Sequence, residues 1–180
     1  MALTDLSGRR LLQMALVLAL AWLAVAVEAA PVGLGALSIP SPDLLFCVLA
    51  VWAVREPKAA PVLLVFAVGL MRDFLADLPA GLGALGLVLA IETLKAQRAR
   101  LARQPFVVEW IVAALVALAM ALMLWVGMVI SLAQPPYAAL LAQQYAVTMA
   151  AYPLVALLLR LAFGLRSQIA PGARAAGEGG

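Results

Sequence analysis

The sequence predicts an all-α polytopic membrane protein with six transmembrane helices and both termini on the cytoplasmic side. Three observations predict it. Hydrophobic residues make up 67% of the 180-residue chain and charged residues 12%, with a mean hydropathy of +1.10; soluble domains average roughly 45–50% apolar and about 25% charged. Six apolar segments follow one another, separated by short polar connections. Finally, the cations sort by side. With the N-terminus inside, Arg9, Arg10, Arg55, Lys58, Lys95, Arg98, Arg100, Arg103, Arg160, Arg166 and Arg174 all fall on the cytoplasmic side, and of the 12 Lys and Arg only Arg72 falls outside. That is the positive-inside pattern, and four, five or seven spans would break it.

The first span covers about residues 10–27. Arg9 and Arg10 followed by an apolar run resemble a signal peptide, but the run exceeds the roughly 7–15 residues of a cleavable core, so an uncleaved span is expected. The second covers 42–54. Its apolar part, from Leu44 to Val54, spans only about 17 Å of helix at 1.5 Å per residue, against a hydrocarbon core of about 30 Å. Ser41-Pro42-Asp43 reads as a helix start, with Ser41 as cap, Pro42 in the first turn and Asp43 at the positive dipole end. Residues 31–40 (PVGLGALSIP) then fill the outer leaflet as irregular or re-entrant chain packed against the other helices.

The third span runs from 61 towards 77 and the fourth from 79 to about 94. Pro79 prevents one straight helix through both, so a tight antiparallel hairpin is expected, with Asp77 capping a helix that starts at Leu78 or Pro79. The fifth span covers about 107–132 and the sixth 137–163. Residues 1–167 form one membrane domain. The tail, 168–180, rich in Gly, Ala and Pro, is expected to be a disordered cytoplasmic segment.

The composition removes several functions. The chain has no histidine and a single cysteine, Cys47, so His-based triads, His metal ligands, intrachain disulfides and CxxC sites are all excluded. No nucleophile–base pair, metal set or phosphate loop is visible, and neither an enzyme nor a cofactor is expected. The positive-inside pattern accounts for the pI near 9.5 without nucleic acid.

Residues 69–86, GLMRDFLADLPAGLGALG, hold the charges that need a reason. An ionisable group in a membrane segment is a functional-site hypothesis by default. Asp73 and Asp77 share a helix face, and Arg72, offset by about 100°, is expected to snorkel outward to head groups. A pocket, a proton relay or a clasp to a partner helix competes with a plain helix end; no other span offers an aligned mid-membrane carboxylate, which favours a structural or assembly role. Gly81, Gly83 and Gly86, with Ala80, Ala84 and Ala90, give the fourth helix a thin packing face.

The remaining polar residues read as structural. Glu92 to Arg103 ends the fourth helix with Lys95, Arg98, Arg100 and Arg103, a basic cytoplasmic surface that serves as a topology anchor or docks a partner or anionic lipid. Glu109 is expected to pair with an arginine of the preceding loop. Trp110 and Trp52 fit the inner aromatic belt. Gln143 and Gln144 are candidates for bonds across helices, and Tyr152-Pro153 for a kink.

Four features together resemble the rod shape-determining MreD family: Gly69-Leu-Met-Arg-Asp73-Phe-Leu, similar to its Gly-x-x-x-Asp-x-Leu pattern; Pro79-Ala-Gly81-Leu-Gly83, similar to its Pro-Leu-Gly element; Pro42-Asp43-Leu-Leu with Arg55-Glu-Pro57; and the six-span layout. Ala80 departs from the leucine expected between Pro and Gly. The resemblance implies a non-enzymatic inner-membrane component that supports lateral peptidoglycan synthesis and cell shape. Its implied partners are MreC, RodA, a class B penicillin-binding transpeptidase and the actin-like MreB. It also implies a fold similar to the membrane substrate-binding subunits of energy-coupling-factor transporters. A small-molecule-binding subunit is therefore the alternative. The external segments PVGLGALSIPSPD and SLAQPPY are poor in the converging polar groups that such a site needs, which favours the scaffold. The assembly residues are then Gly69, Arg72, Asp73, Asp77, Pro79, Gly81, Gly83 and Gly86.

Overall fold

The structure, a computed structural model, describes residues 2–29, 40–76, 78–132 and 136–163. The described regular structure is wholly helical. It comprises α1 (Ala2–Ala29), α2 (Leu44–Arg55), a 3-10 turn at Pro57–Ala59, α3 (Val62–Leu75), α4 (Leu82–Leu101), α5 (Phe106–Ile130) and α6 (Ala138–Phe163). The expected tail, the expected re-entrant stretch 31–39 and Asp77 lie outside the described residues.

Among the described residues, three helices contain stretches long and apolar enough to cross a membrane: Leu11–Glu28 in α1, and all of α5 and α6. The outer faces of these helices keep large apolar side chains exposed, among them Leu18, Trp22, Leu115, Leu122 and Leu157, as a lipid-facing surface does. Helix α2 has 12 residues and α3 has 14, about 18 and 21 Å, so each falls short of the apolar thickness alone.

The core is built around α2. Every residue from Leu45 to Val54 is buried, because α1, α4 and α6 pack against it on different sides. A helix that is apolar all round has no face for water, and this one has been enclosed. Trp52, expected in the interfacial belt, is instead 1% exposed and packs on Phe163. Trp110, at 37%, keeps an exposed face. Helix α5 buries a narrow stripe, Glu109, Ala113, Ala117 and Met120, at steps of four, four and three residues. The two alanines let α5 approach closely, while the rest of its apolar surface faces outward.

Both chain directions and contacts sort the polar residues into two ends. One end holds the last turn of α1, the start of α2, the last turn of α3 and the start of α4, with Arg72. The other holds the ends of α2, α4 and α6 and the start of α5, with Arg55.

Candidate functional site

The hairpin α3–α4 closes on one carboxylate. Pro79 to Gly81 make a turn in which the Leu82 N–H donates to the Pro79 carbonyl at 3.1 Å, and Gly81 has φ +90°, a backbone region that suits glycine. The helix therefore begins at Leu82, three residues later than the expected start at Leu78 or Pro79 allows. Gly81, at the cap position, has no side chain to satisfy the first N–H groups. Asp73 supplies it from α3: its Oδ2 accepts the N–H of Gly81 at 3.1 Å and of Ala84 at 3.0 Å. Asp73 is fully buried, and its Oδ1 lies against Gly83, where any Cβ would overlap it. One turn earlier, a Cβ on Gly69 would come 2.8 Å from the Ala84 Cα. Gly69, Asp73, Gly81 and Gly83 thus form one device that sets two helices in contact. Gly86, farther along α4, faces Met120 of α5.

Arg72 does not snorkel. It is 8% exposed and turns inward, donating from Nη1 to Asp43 Oδ2 at 2.8 Å. The reason is local: Asp43, rather than Ser41, caps α2, with Oδ1 accepting the Phe46 N–H at 2.8 Å, so a second carboxylate oxygen is left facing α3. Glu28, from the end of α1, adds a further acceptor to the same helix start, taking the Leu45 N–H at 2.9 Å. The Thr148 hydroxyl accepts the Asp43 N–H at 2.9 Å and donates to the Gln144 carbonyl at 2.7 Å. Four helices therefore meet at Asp43.

A cavity of about 350 Å³ opens beside this cluster. Glu28, Asp43, Arg72, Gln144 and Thr148 supply its polar lining, and Ala117, Met120, Ala121, Leu124, Trp125 and Met128 of α5 its apolar wall. A recess so lined is shaped to take an apolar group and to orient it through a few polar contacts. The described residues hold no group of three or more acidic or cysteine side chains placed for a metal.

The opposite end carries a second buried cluster. Arg55 donates to both oxygens of Glu109, at 2.9 and 3.3 Å, and the Tyr152 hydroxyl donates to Glu109 Oε1 at 3.3 Å. The partner of Glu109 is thus the end of α2, not the preceding loop. Lys95 folds back onto Glu92, at 2.6 Å, and onto the Ala60 carbonyl, whereas Arg98, Arg100 and Arg103 are exposed. Of the expected basic surface, the three arginines remain outward. Helix α6 continues through Pro153, which has no N–H to give the Met149 carbonyl; Trp110 Nε1 donates to that carbonyl instead, at 3.0 Å. Gln143 and Gln144 keep exposed side chains, with Gln144 at the cavity wall.

Glu28, Asp43 and Thr148 were not among the expected site residues. The expected charge map held the signal for two of them: it leaves Arg72 as the one cation outside, and it puts Glu28 and Asp43 at helix ends on that same side. Thr148, inside an apolar run, carried no such mark.

The glycines and Asp73 at these close approaches are the residues of the hairpin motif, and the family comparison falls on the same ground. The model of the rod shape-determining protein MreD family matches residues 8–162. The chain belongs to the MreD family. The match reaches into each of the six described helices and takes in both buried clusters, and with it comes a rod shape-determining role in a membrane. Comparisons with curated proteins and with solved structures return no match. The expected likeness to transporter subunits gains no solved relative from them.

Proposed function

We propose that this MreD-family protein is a non-enzymatic scaffold of the cell-elongation complex in the inner membrane. In this reading all six helices lie in the bilayer, with α2 and α3 shielded by the longer spans. The Arg55 end is cytoplasmic and the Arg72 end external, following the positive-inside rule. The scaffold holds MreC and, through it, supports lateral wall synthesis by RodA and a class B transpeptidase, in register with MreB.

One observation carries the reading. The buried polar groups tie helices to one another: Asp73 joins α3 to α4, Asp43 joins α2 to α3 and α6, and Glu109 joins α5 to α2 and α6. None is arranged around a reacting centre. The cavity at the Arg72 end is where such groups face open space, and its mixed lining suits side chains of a protein partner. The transport alternative gains no support from the family match.

The test is affinity purification of the full chain in mild detergent. MreC is expected to co-purify. Recovery of an energy-coupling ATPase module without MreC or RodA would overturn the proposal.

A further inference from the structure

Two arginines flank the first turn of α5. Arg103 precedes Phe106 by three residues in an exposed connection, and the Arg160 guanidinium carbon lies 5.9 Å from the Phe106 ring centroid. The Phe106 ring in turn stacks on Tyr152, at 6.3 Å and 21°, and Tyr152 is held by Glu109. Arg160 is exposed but rests on a rigid base, so its charge is presented at a fixed place rather than sampled from a long free arm.

Neither arginine has a carboxylate partner among the described residues. Two of the described acids at this end are engaged elsewhere: Glu92 holds Lys95, and Glu109 holds Arg55. Glu56 follows the last residue of α2, two residues before Lys58 in the chain, and pairs with neither arginine. Val107 and Ile111, in the first turns of α5 after Arg103, and Leu157 and Leu161, three residues before and one after Arg160 in α6, expose apolar side chains. Uncompensated cations above an apolar wall at a helix end are complementary to a molecule with an anionic head and acyl chains.

We infer that Arg103 and Arg160 form a binding site for the phosphate of an anionic phospholipid at the cytoplasmic end of α5, with its chains lying along α5 and α6. The orientation rests on the membrane reading above, but the binding is a property of this chain alone, without a partner. The arrangement favours a lipid over an acidic protein because the same helix ends that carry the charges continue into exposed apolar surface on α5 and α6.

The test is native mass spectrometry of the detergent-purified full chain, titrated with dioleoyl phosphatidylglycerol or with phosphatidylcholine of the same chains. Phosphatidylglycerol is expected to be retained preferentially. Arg103→Gln with Arg160→Gln is expected to weaken that retention roughly twenty-five-fold, about fivefold per arginine. Lys58→Gln with Arg98→Gln removes the same charge at the same end and is expected to keep most of the affinity. Arg103→Gln alone, in an exposed connection, carries the test at half the logarithmic effect if the double variant unfolds. Equal retention of the two lipids, or equal loss in both double variants, overturns the site and reduces these arginines to an undirected topology anchor. Loss of MreC binding with lipid selectivity intact would count against the scaffold and leave this site standing.

Discussion

The carboxylate of Asp73 occupies the space that a side chain at Gly83 would need. It caps the start of α4 from a neighbouring helix, and it can do so because residue 83 has no Cβ. The distance between the Gly-x-x-x-Asp stretch and the Pro-x-Gly-x-Gly stretch in the sequence thereby becomes a single contact in space. Gly69 admits Ala84, Asp73 takes the N–H of Gly81 and Ala84, and Gly83 leaves room for the carboxylate.

Gly83→Ala is therefore expected to destabilise the fold, by about 1–3 kcal/mol for overpacking alone. Asp73→Ala is expected to lose two hydrogen bonds to a charged acceptor, about 1.5–3 kcal/mol each. The double variant should fall short of the summed losses, since removing the carboxylate relieves the overlap at residue 83. Thermal unfolding of the four proteins in one detergent checks this. Full additivity would mean that the two residues do not share the site.

Breaking the Asp43–Arg72 pair from one side is expected to be worse than replacing both partners. Arg72→Met leaves Asp43 charged against α3, a loss of about 3–5 kcal/mol when such a partner is fully buried and less here because both side chains keep a little exposure. Arg72→Met with Asp43→Asn keeps an acceptor for the cap on α2 and removes the stranded charge. Folded yield and unfolding temperature of the single and double variants decide the order.

The indole of Trp110 stands in for the N–H that Pro153 lacks. Trp110→Phe should cost about 1 kcal/mol for that hydrogen bond. In a Pro153→Ala background the same change should cost less, because the backbone N–H gained by that substitution reaches the Met149 carbonyl itself. An equal cost in both backgrounds, measured by thermal unfolding, would assign Trp110 a packing role only.

Much of the fold was legible because the bilayer makes sequence explicit. Pro79 and the glycines marked the hairpin, and the lengths of α5 and α6 follow from apolar runs, whereas α1 starts at Ala2, eight residues before the expected span. What stayed hidden were contacts between helices distant in the chain. Arg72 looked free to snorkel because its partner, Asp43, lies on another helix. The capping role of Asp73 is hidden because side-chain caps normally act within two or three residues, and the helix it caps begins beyond a turn. Trp52 read as interfacial from its place near Arg55, yet α2 is enclosed on all sides, which no single-helix pattern reveals. The thiol of Cys47 is buried as well and lies 3.7 Å from the Thr148 carbonyl, a contact across helices that its own apolar run does not mark.

The cavity beside Glu28, Asp43 and Arg72 makes the central claim testable without touching the helix ties. Ala121→Trp places a bulky side chain into the cavity from the α5 wall and leaves Asp43, Asp73 and Glu109 intact. The decisive measurement is the amount of MreC recovered with the Ala121→Trp protein relative to the original, alongside the unfolding temperature of both. The account predicts an unchanged unfolding temperature and at least a tenfold loss of MreC, the equivalent of about 1.4 kcal/mol. Undiminished MreC recovery with the filled cavity would contradict it.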